Sequence, residues 1–217
     1  MTLQLFAHPF SSYSWKAQIA LDEKGLDYAY RNVDPADPDN GAELRRLWPL
    51  GKFPLLVDGD RVVFETSAII EYLEARHGSR LIPADPLAAV EVRMLDRVFD
   101  NHVMAPMQQI VADALRPTDQ RDAYSVERAR EALEAIYAWL DGRAGAGEWA
   151  AGDAFTLADC AAAPALFYAD WAHPMGERFP ALAAYRARLL ARPSVARAVD
   201  GARPYRGYFP LGAPDRD

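Results

Sequence analysis

GKFPLLVDGDRVVFETSAIIEYLE, residues Gly51–Glu74, sets two apolar strands, a tight turn and a helix start in immediate succession. Leu55, Leu56 and Val57 form a short apolar run, and Asp58-Gly59-Asp60 supplies a turn in which glycine takes a positive φ. Val62, Val63 and Phe64 return along it, which predicts a hairpin. Phe53-Pro54 opens the first strand, where proline is tolerated at a first residue, an edge or a bulge, or as a cis peptide. After the hairpin, Thr66 or Ser67 is expected to cap a helix whose apolar positions Ile69, Ile70, Leu73 and, later, Leu81 fall on one side. The N–H groups of a helix start attract anions, and Glu65, one residue earlier, adds a carboxylate suited to an ammonium group. One small region can therefore hold a zwitterionic amino-acid moiety. An ordinary hairpin followed by a capped helix is the plainer alternative.

Toward the N-terminus, Leu3 to Phe6 reads as a strand, and SSYSWK, Ser11–Lys16, leads into a helix carrying Ile19, Ala20 and Leu21. A second strand over Tyr28 to Val33 and a helical or irregular stretch connect it to the hairpin. Such an order needs a right-handed crossover to bring parallel strands together. Ser79 to Pro86 reads as a linker in which Asp85-Pro86 supplies an N-cap followed by proline at the first helical position. Everything beyond is helical in pattern: Leu87, Val90, Met94 and Val98 recur three or four apart, as do Ala129, Leu133, Ile136 and Leu140. GDAFTLAD, Gly152–Asp159, reads as a capping box in which Asp159 reaches back to the Thr156 N–H and Phe155 staples onto Cys160. Gly201–Asp217, rich in proline and glycine, is expected to lie over the surface as an irregular tail. The fold class is therefore α/β plus all-α, with a βαβαββα domain over 1–82, a linker over 83–87 and a helical bundle over 88–217.

A chain of 217 residues accommodates two domains and a sizeable core, and 51% hydrophobic residues argue against long disorder. The net charge of -7 speaks against nucleic acid as a partner, because phosphate neutralisation needs clustered Lys and Arg. No apolar run approaches the ~20 residues of a membrane helix, and Met1-Thr2-Leu3-Gln4 runs straight into a strand, so a cytoplasmic protein without a membrane partner is the expectation. With Cys160 as the single cysteine, an intramolecular disulfide and a CxxC dithiol are both ruled out. His8, His77, His102 and His173 show no pair at metal-ligand spacing, so no metal site is expected.

The proline-led strand, the hairpin and the ETSAII helix start, Glu65–Ile70, resemble the glutathione-binding half of the glutathione S-transferase family. The Ser-Ser-x-Ser-Trp-basic order of Ser11–Lys16 is similar to the serine-type, zeta-like members, and GDAFTLAD matches the family's threonine-x-x-aspartate element. This likeness covers essentially the whole chain. It implies a thioredoxin-like first domain, a bacterial-type cytosolic transferase that adds glutathione to small electrophiles in detoxification, and a homodimer. Ser11 is then the donor to the glutathione thiol, Ser12 the second choice, and Tyr13 the tyrosine alternative. Helix capping by all these hydroxyls is the bland reading.

The same resemblance implies the rest of the site. Phe53, before a cis Pro54, would pair its backbone with the cysteinyl part of glutathione, and Lys52 would approach the glycyl carboxylate. Glu65 would take the γ-glutamyl ammonium, and Thr66, where serine is commoner, the adjacent carboxylate. Phe10, Tyr13, Met104, Met107, Ile110, Tyr168 and Trp171 are candidates for an apolar acceptor pocket between the domains. Asn101 and His102 before Pro106 add polarity or mark a kinked helix. A thiol with pKa near 8.5 is only about 3% thiolate at pH 7, so lowering it by about two units raises the nucleophile ~25-fold. Those two units correspond to ~2.7 kcal/mol, within reach of one hydroxyl hydrogen bond to a charged sulfur aided by a helix N-terminus. Tyr13 stands where the zeta motif usually has cysteine. Maleylacetoacetate isomerisation, a glutathione-dependent reductase or peroxidase, and a non-catalytic glutathione-binding module are the alternatives.

Overall fold

The computed structural model describes residues 2–78 and 81–217. Met1, and Ser79 and Arg80 at the start of the expected linker, lie outside the described residues. Strands β1 (Leu3–Ala7), β2 (Tyr28–Asn32), β3 (Leu55–Asp58) and β4 (Arg61–Phe64) form one sheet in the order β2-β1-β3-β4. β1 pairs in parallel with β2, Leu5 opposite Tyr30, and antiparallel with β3, Leu5 opposite Leu56; β3 and β4 close the hairpin around Gly59 at φ 58°. The period of two along a strand sorts the side chains onto two faces. Leu3, Leu5, Ala7 and Leu56 pack against helices α1 (Ser12–Glu23) and α3 (Thr66–His77), whereas Phe6 and Leu55 meet Leu44 of α2 (Pro38–Leu47).

The second half comprises α4 (Pro86–Val98), a π-helical segment Phe99–Met104, α5 (Ala105–Ala114), α6 (Ala123–Arg143), α7 (Leu157–Ala172), α8 (Pro180–Ala191) and α9 (Pro193–Ala202). Every residue of α7 from Leu157 to Trp171 is buried, which makes it the central helix. Trp15, Ile19, Ala20 and Ile70 of the first half belong to the same apolar cluster as α7, so the two halves share one continuous core. Asp85 Oδ2 accepts the Ala88 N–H at 2.8 Å and Pro86 already lies in α4. The helical half thus begins inside the 83–87 stretch expected as linker. At α7, Asp159 Oδ2 accepts the Thr156 N–H at 2.8 Å, while Oδ1 accepts from the Ala150 N–H at 2.9 Å and the Tyr185 hydroxyl at 2.6 Å.

Two local expectations are corrected. Neither Thr66 nor Ser67 caps α3: Glu65 occupies the cap position at φ 66°, turning the chain so sharply that Thr66 is already helical. The Ser67 hydroxyl instead donates to Asp96 Oδ2 at 2.9 Å. The end of the chain is also not simply irregular. After α9, Arg203–Tyr208 winds as a 3-10 helix and Phe209 is buried. Arg203 and Arg206 then pair with Asp217, and Arg216 pairs with Asp170 of α7. Ring contacts of Tyr205 and Tyr208 with His8, and of the buried Phe209 with Trp171, hold this segment in place despite its glycine and proline content.

Candidate active site

Two adjoining cavities open between the halves. The first, about 380 Å³, is polar, and the strand-and-helix domain supplies Tyr13, Lys52, Phe53, Pro54, Glu65 and Thr66 to its lining. These are residues that the sequence singles out, and the fold brings them to one place. The Phe53–Pro54 peptide is cis. Glu65, held at positive φ, is a side-chain-bearing residue in a region L-residues seldom adopt, and such backbone concentrates at ligand sites. Trp48 and Phe64, stacked with ring centroids 4.1 Å apart, complete that side of the wall.

The second cavity, about 240 Å³, is lined by Phe10, Ser11, Ser12, Met107 and Tyr168 from the expected set. Val111, Leu115, Tyr208, Phe209 and Pro210 close it. Met104, Ile110 and Trp171 do not line either cavity; each is buried in the helical core. Helical spacing places them on apolar faces, and those faces turn toward neighbouring helices rather than into the cleft. His102 is exposed and lines neither cavity, while Asn101 lines the polar one.

The loop carrying Ser11 is fixed from several directions. Ser11 N–H donates to the His8 carbonyl at 3.0 Å, and the Ser11 hydroxyl oxygen accepts the Ser14 N–H at 3.2 Å as the N-cap of α1. Trp15 Nε1 donates to the Pro9 carbonyl at 2.6 Å, and the Tyr168 hydroxyl donates to the Phe10 carbonyl at 3.0 Å. His8 Nδ1 accepts the Phe10 N–H at 3.1 Å, its Nε2 faces Asp34 at 3.4 Å, and its ring meets Tyr205 edge-on. Capping uses a lone pair of Ser11 Oγ and leaves its own proton available, so capping and donation to a ligand are compatible. Burial, reinforced by the Asp100 carboxylate, pushes the Tyr13 phenol upward, so it stays protonated and is also a donor.

The helical wall of the polar cavity holds groups the sequence did not single out: Arg97, Asp100 and Gln108. Behind them Lys16 is 1% exposed, with Nζ 2.5 Å from Asp96 Oδ1, 2.7 Å from Asp100 Oδ2 and 2.9 Å from Ser67 Oγ. Arg97 bonds Asp96, Asp100 and Ser67 as well. Burial raises the Asp100 carboxyl above the ordinary aspartate range, while Lys16 and Arg97 pull it back. A charged lysine amid Trp15, Ile19 and Ala20, together with acids at an i, i+4 spacing in Asp96 and Asp100, was the available hint. Pro106, which lacks an N–H, follows the π-helical Phe99–Met104, and this widened turn delivers Asp100 and Asn101 to the cavity. Cys160 is wholly buried and its thiol is pushed up by that burial, so it is inert core.

The family model for the glutathione S-transferase N-terminal domain matches residues 5–81, and that for the C-terminal domain matches residues 103–193. Glutathione S-transferase 3 of Zea mays is 32% identical over 211 residues, covering 91% of this chain and 93% of the maize protein. A probable maleylacetoacetate isomerase of Caenorhabditis elegans is 29% identical over 172 residues, covering 76% of this chain and 78% of its own. A glutathione S-transferase of Methylobacterium radiotolerans, solved in complex with glutathione sulfonate, superposes with a TM-score of 0.80 at 31% identity, covering 92% of this chain and 95% of that one. The fold, a polar cavity beside an apolar one, and these matches along both halves lead to one assignment: the chain belongs to the glutathione S-transferase family.

Proposed function

We infer that the protein is an enzyme that binds glutathione, favours its thiolate, and adds the sulfur to small, uncharged, partly apolar electrophiles. The observation that carries this reading is the junction of two unlike cavities, one built for a zwitterionic peptide and the other for an apolar acceptor, with the Ser11 loop beside them. Glu65 faces the γ-glutamyl ammonium, Thr66 at the start of α3 its carboxylate, Lys52 the glycyl carboxylate, and the Phe53 backbone the cysteinyl unit. Ser11 donates to the sulfur. Tyr13 is the competing donor, since its phenol lines the polar cavity and keeps its proton.

Isomerisation of a dicarboxylate such as maleylacetoacetate fits less well, because the lining of the apolar cavity carries no Lys or Arg. No helix among the described residues is long and apolar enough to cross a membrane. A homodimer is part of the same reading, supported by the exposed apolar stripe Leu87, Val90 and Met94 of α4.

An ultraviolet titration of bound glutathione against pH, on the parent, Ser11→Ala and Tyr13→Phe, tests the reading. The expected outcome is a thiol pKa below about 7.5 in the parent that returns toward about 8.5 in Ser11→Ala only. Loss of the shift only in Tyr13→Phe reassigns the donor. Binding with an unshifted thiol favours a non-catalytic module, and absence of binding overturns the reading altogether.

A further inference from the structure

Gln108, on α5, is the one described residue that lines both cavities. Its amide is uncharged and makes no hydrogen bond to another described residue; the Ser12 and Tyr208 hydroxyls are equally unbonded there, but they line the apolar cavity alone and not its junction with the polar one. Tyr168 spends its hydroxyl proton on the Phe10 carbonyl, and Ser11 Oγ caps α1. No charged side chain lines the apolar cavity. A neutral donor at the mouth of an otherwise apolar chamber, next to the place where a sulfur nucleophile would sit, is suited to an acceptor whose negative charge develops close to the sulfur.

Resting on the function proposed above, we propose that Gln108 Nε2 donates a hydrogen bond to the oxyanion formed when the thiolate adds to an α,β-unsaturated carbonyl compound bearing an aryl or alkyl body. The sulfur lone pair forms the S–C bond to the β-carbon. The C=C pair shifts to the α-carbon–carbonyl bond, and the carbonyl π pair becomes an oxygen lone pair. A solvent proton then quenches the α-carbon, balancing the one lost by the thiol, so that S–H has added across the double bond with no oxidant or reductant. In the folded-back conformer of such a substrate the carbonyl oxygen lies near the β-carbon, and so near the sulfur and the cavity junction. In a displacement at a benzylic carbon, by contrast, the halide leaves on the side away from the sulfur. A donor at the junction therefore assists the first reaction more than the second. A donor positioned on a developing oxyanion is worth about 10²-fold in turnover.

The test is the ratio of turnover on benzylideneacetone to turnover on benzyl chloride, in the parent, Gln108→Leu, Gln108→Glu and Tyr208→Phe. Gln108 is exposed, so its variants keep the packing of α5. The expected result is a ratio lowered by about 10²-fold in Gln108→Leu and further in Gln108→Glu, where a carboxylate opposes the enolate. In Gln108→Leu, which adds no charge, the fall lies in kcat for benzylideneacetone, with the pKa of the bound thiol unchanged. An unchanged ratio, or a fall in Tyr208→Phe alone, overturns the assignment. A parent that binds glutathione with a lowered thiol pKa and turns over benzyl chloride but not benzylideneacetone overturns it too, yet leaves the transferase reading standing. A parent that binds no glutathione removes both.

Discussion

Ser11 Oγ accepts the Ser14 amide proton, and its own proton is the one a thiolate would take. Replacing it therefore has two separable effects. Removing an N-cap hydroxyl in favour of alanine lowers stability by about 1 kcal/mol, whereas glycine, itself tolerated at a cap, lowers it by only a few tenths. Both variants lack a donor to sulfur. The expectation is that urea unfolding distinguishes Ser11→Ala from Ser11→Gly by these amounts while the bound thiol loses its activation equally in both. If thiol activation instead tracked stability across the pair, the hydroxyl would be acting through the helix and not on the sulfur. The neighbouring Tyr13 has no such dual duty, because burial and the nearby carboxylates simply hold its proton in place.

At the scale of elements, the start of α7 makes a pH-dependent statement. Burial raises the Asp159 carboxyl above its ordinary value, and the bonds from Ala150, Tyr185 and Thr156 only partly counter it. The folded chain thus holds this proton more tightly than the unfolded one does. Its contribution to stability is full below about pH 4, the unfolded value, and is lost as pH rises through the higher folded value. In Asp159→Asn no proton titrates there. Urea unfolding across the acidic range should show the parent's advantage over Asp159→Asn shrinking as pH rises, and a growing advantage would refute the sign. This capping box, the hairpin around Gly59 and the Asp85-Pro86 start of α4 were legible because their chemistry is local, set by turn residues and spacings of two to four. The Lys16–Asp100 contact joins residues 84 apart in sequence, and the wall supplied by Tyr208 and Phe209 closes on Phe10 from the far end of the chain. Periodicity marks Met104, Ile110 and Trp171 as apolar-face residues, but it does not say which neighbour that face meets, and here it is the core.

For the molecule as a whole, α4 is the element with two commitments. Its buried side places Val92, Leu95 and Asp96 inward, and Arg97 near its end lines the polar cavity. Its outer side leaves Leu87 81%, Val90 60% and Met94 48% exposed, spaced three and four apart so that they form one stripe. Phe64 of β4 and Leu50 are exposed apolar side chains of the first half. Such a stripe, three exposed apolar side chains along one helix face, is suited to a twofold contact, where each copy offers the same patch to the other. Val90→Glu together with Met94→Glu places like charges opposite one another across that axis, and sedimentation at micromolar concentration should then report a monomer where the parent reports a dimer. Because Arg97 belongs to this helix and Asp100 to the segment that continues it, loss of the contact should also weaken glutathione binding, with the fold and the far-ultraviolet spectrum unaltered. A double variant that remains dimeric would move the contact off α4, and one that turns monomeric without any change in glutathione affinity would uncouple the stripe from the cavity that the same helix helps to line.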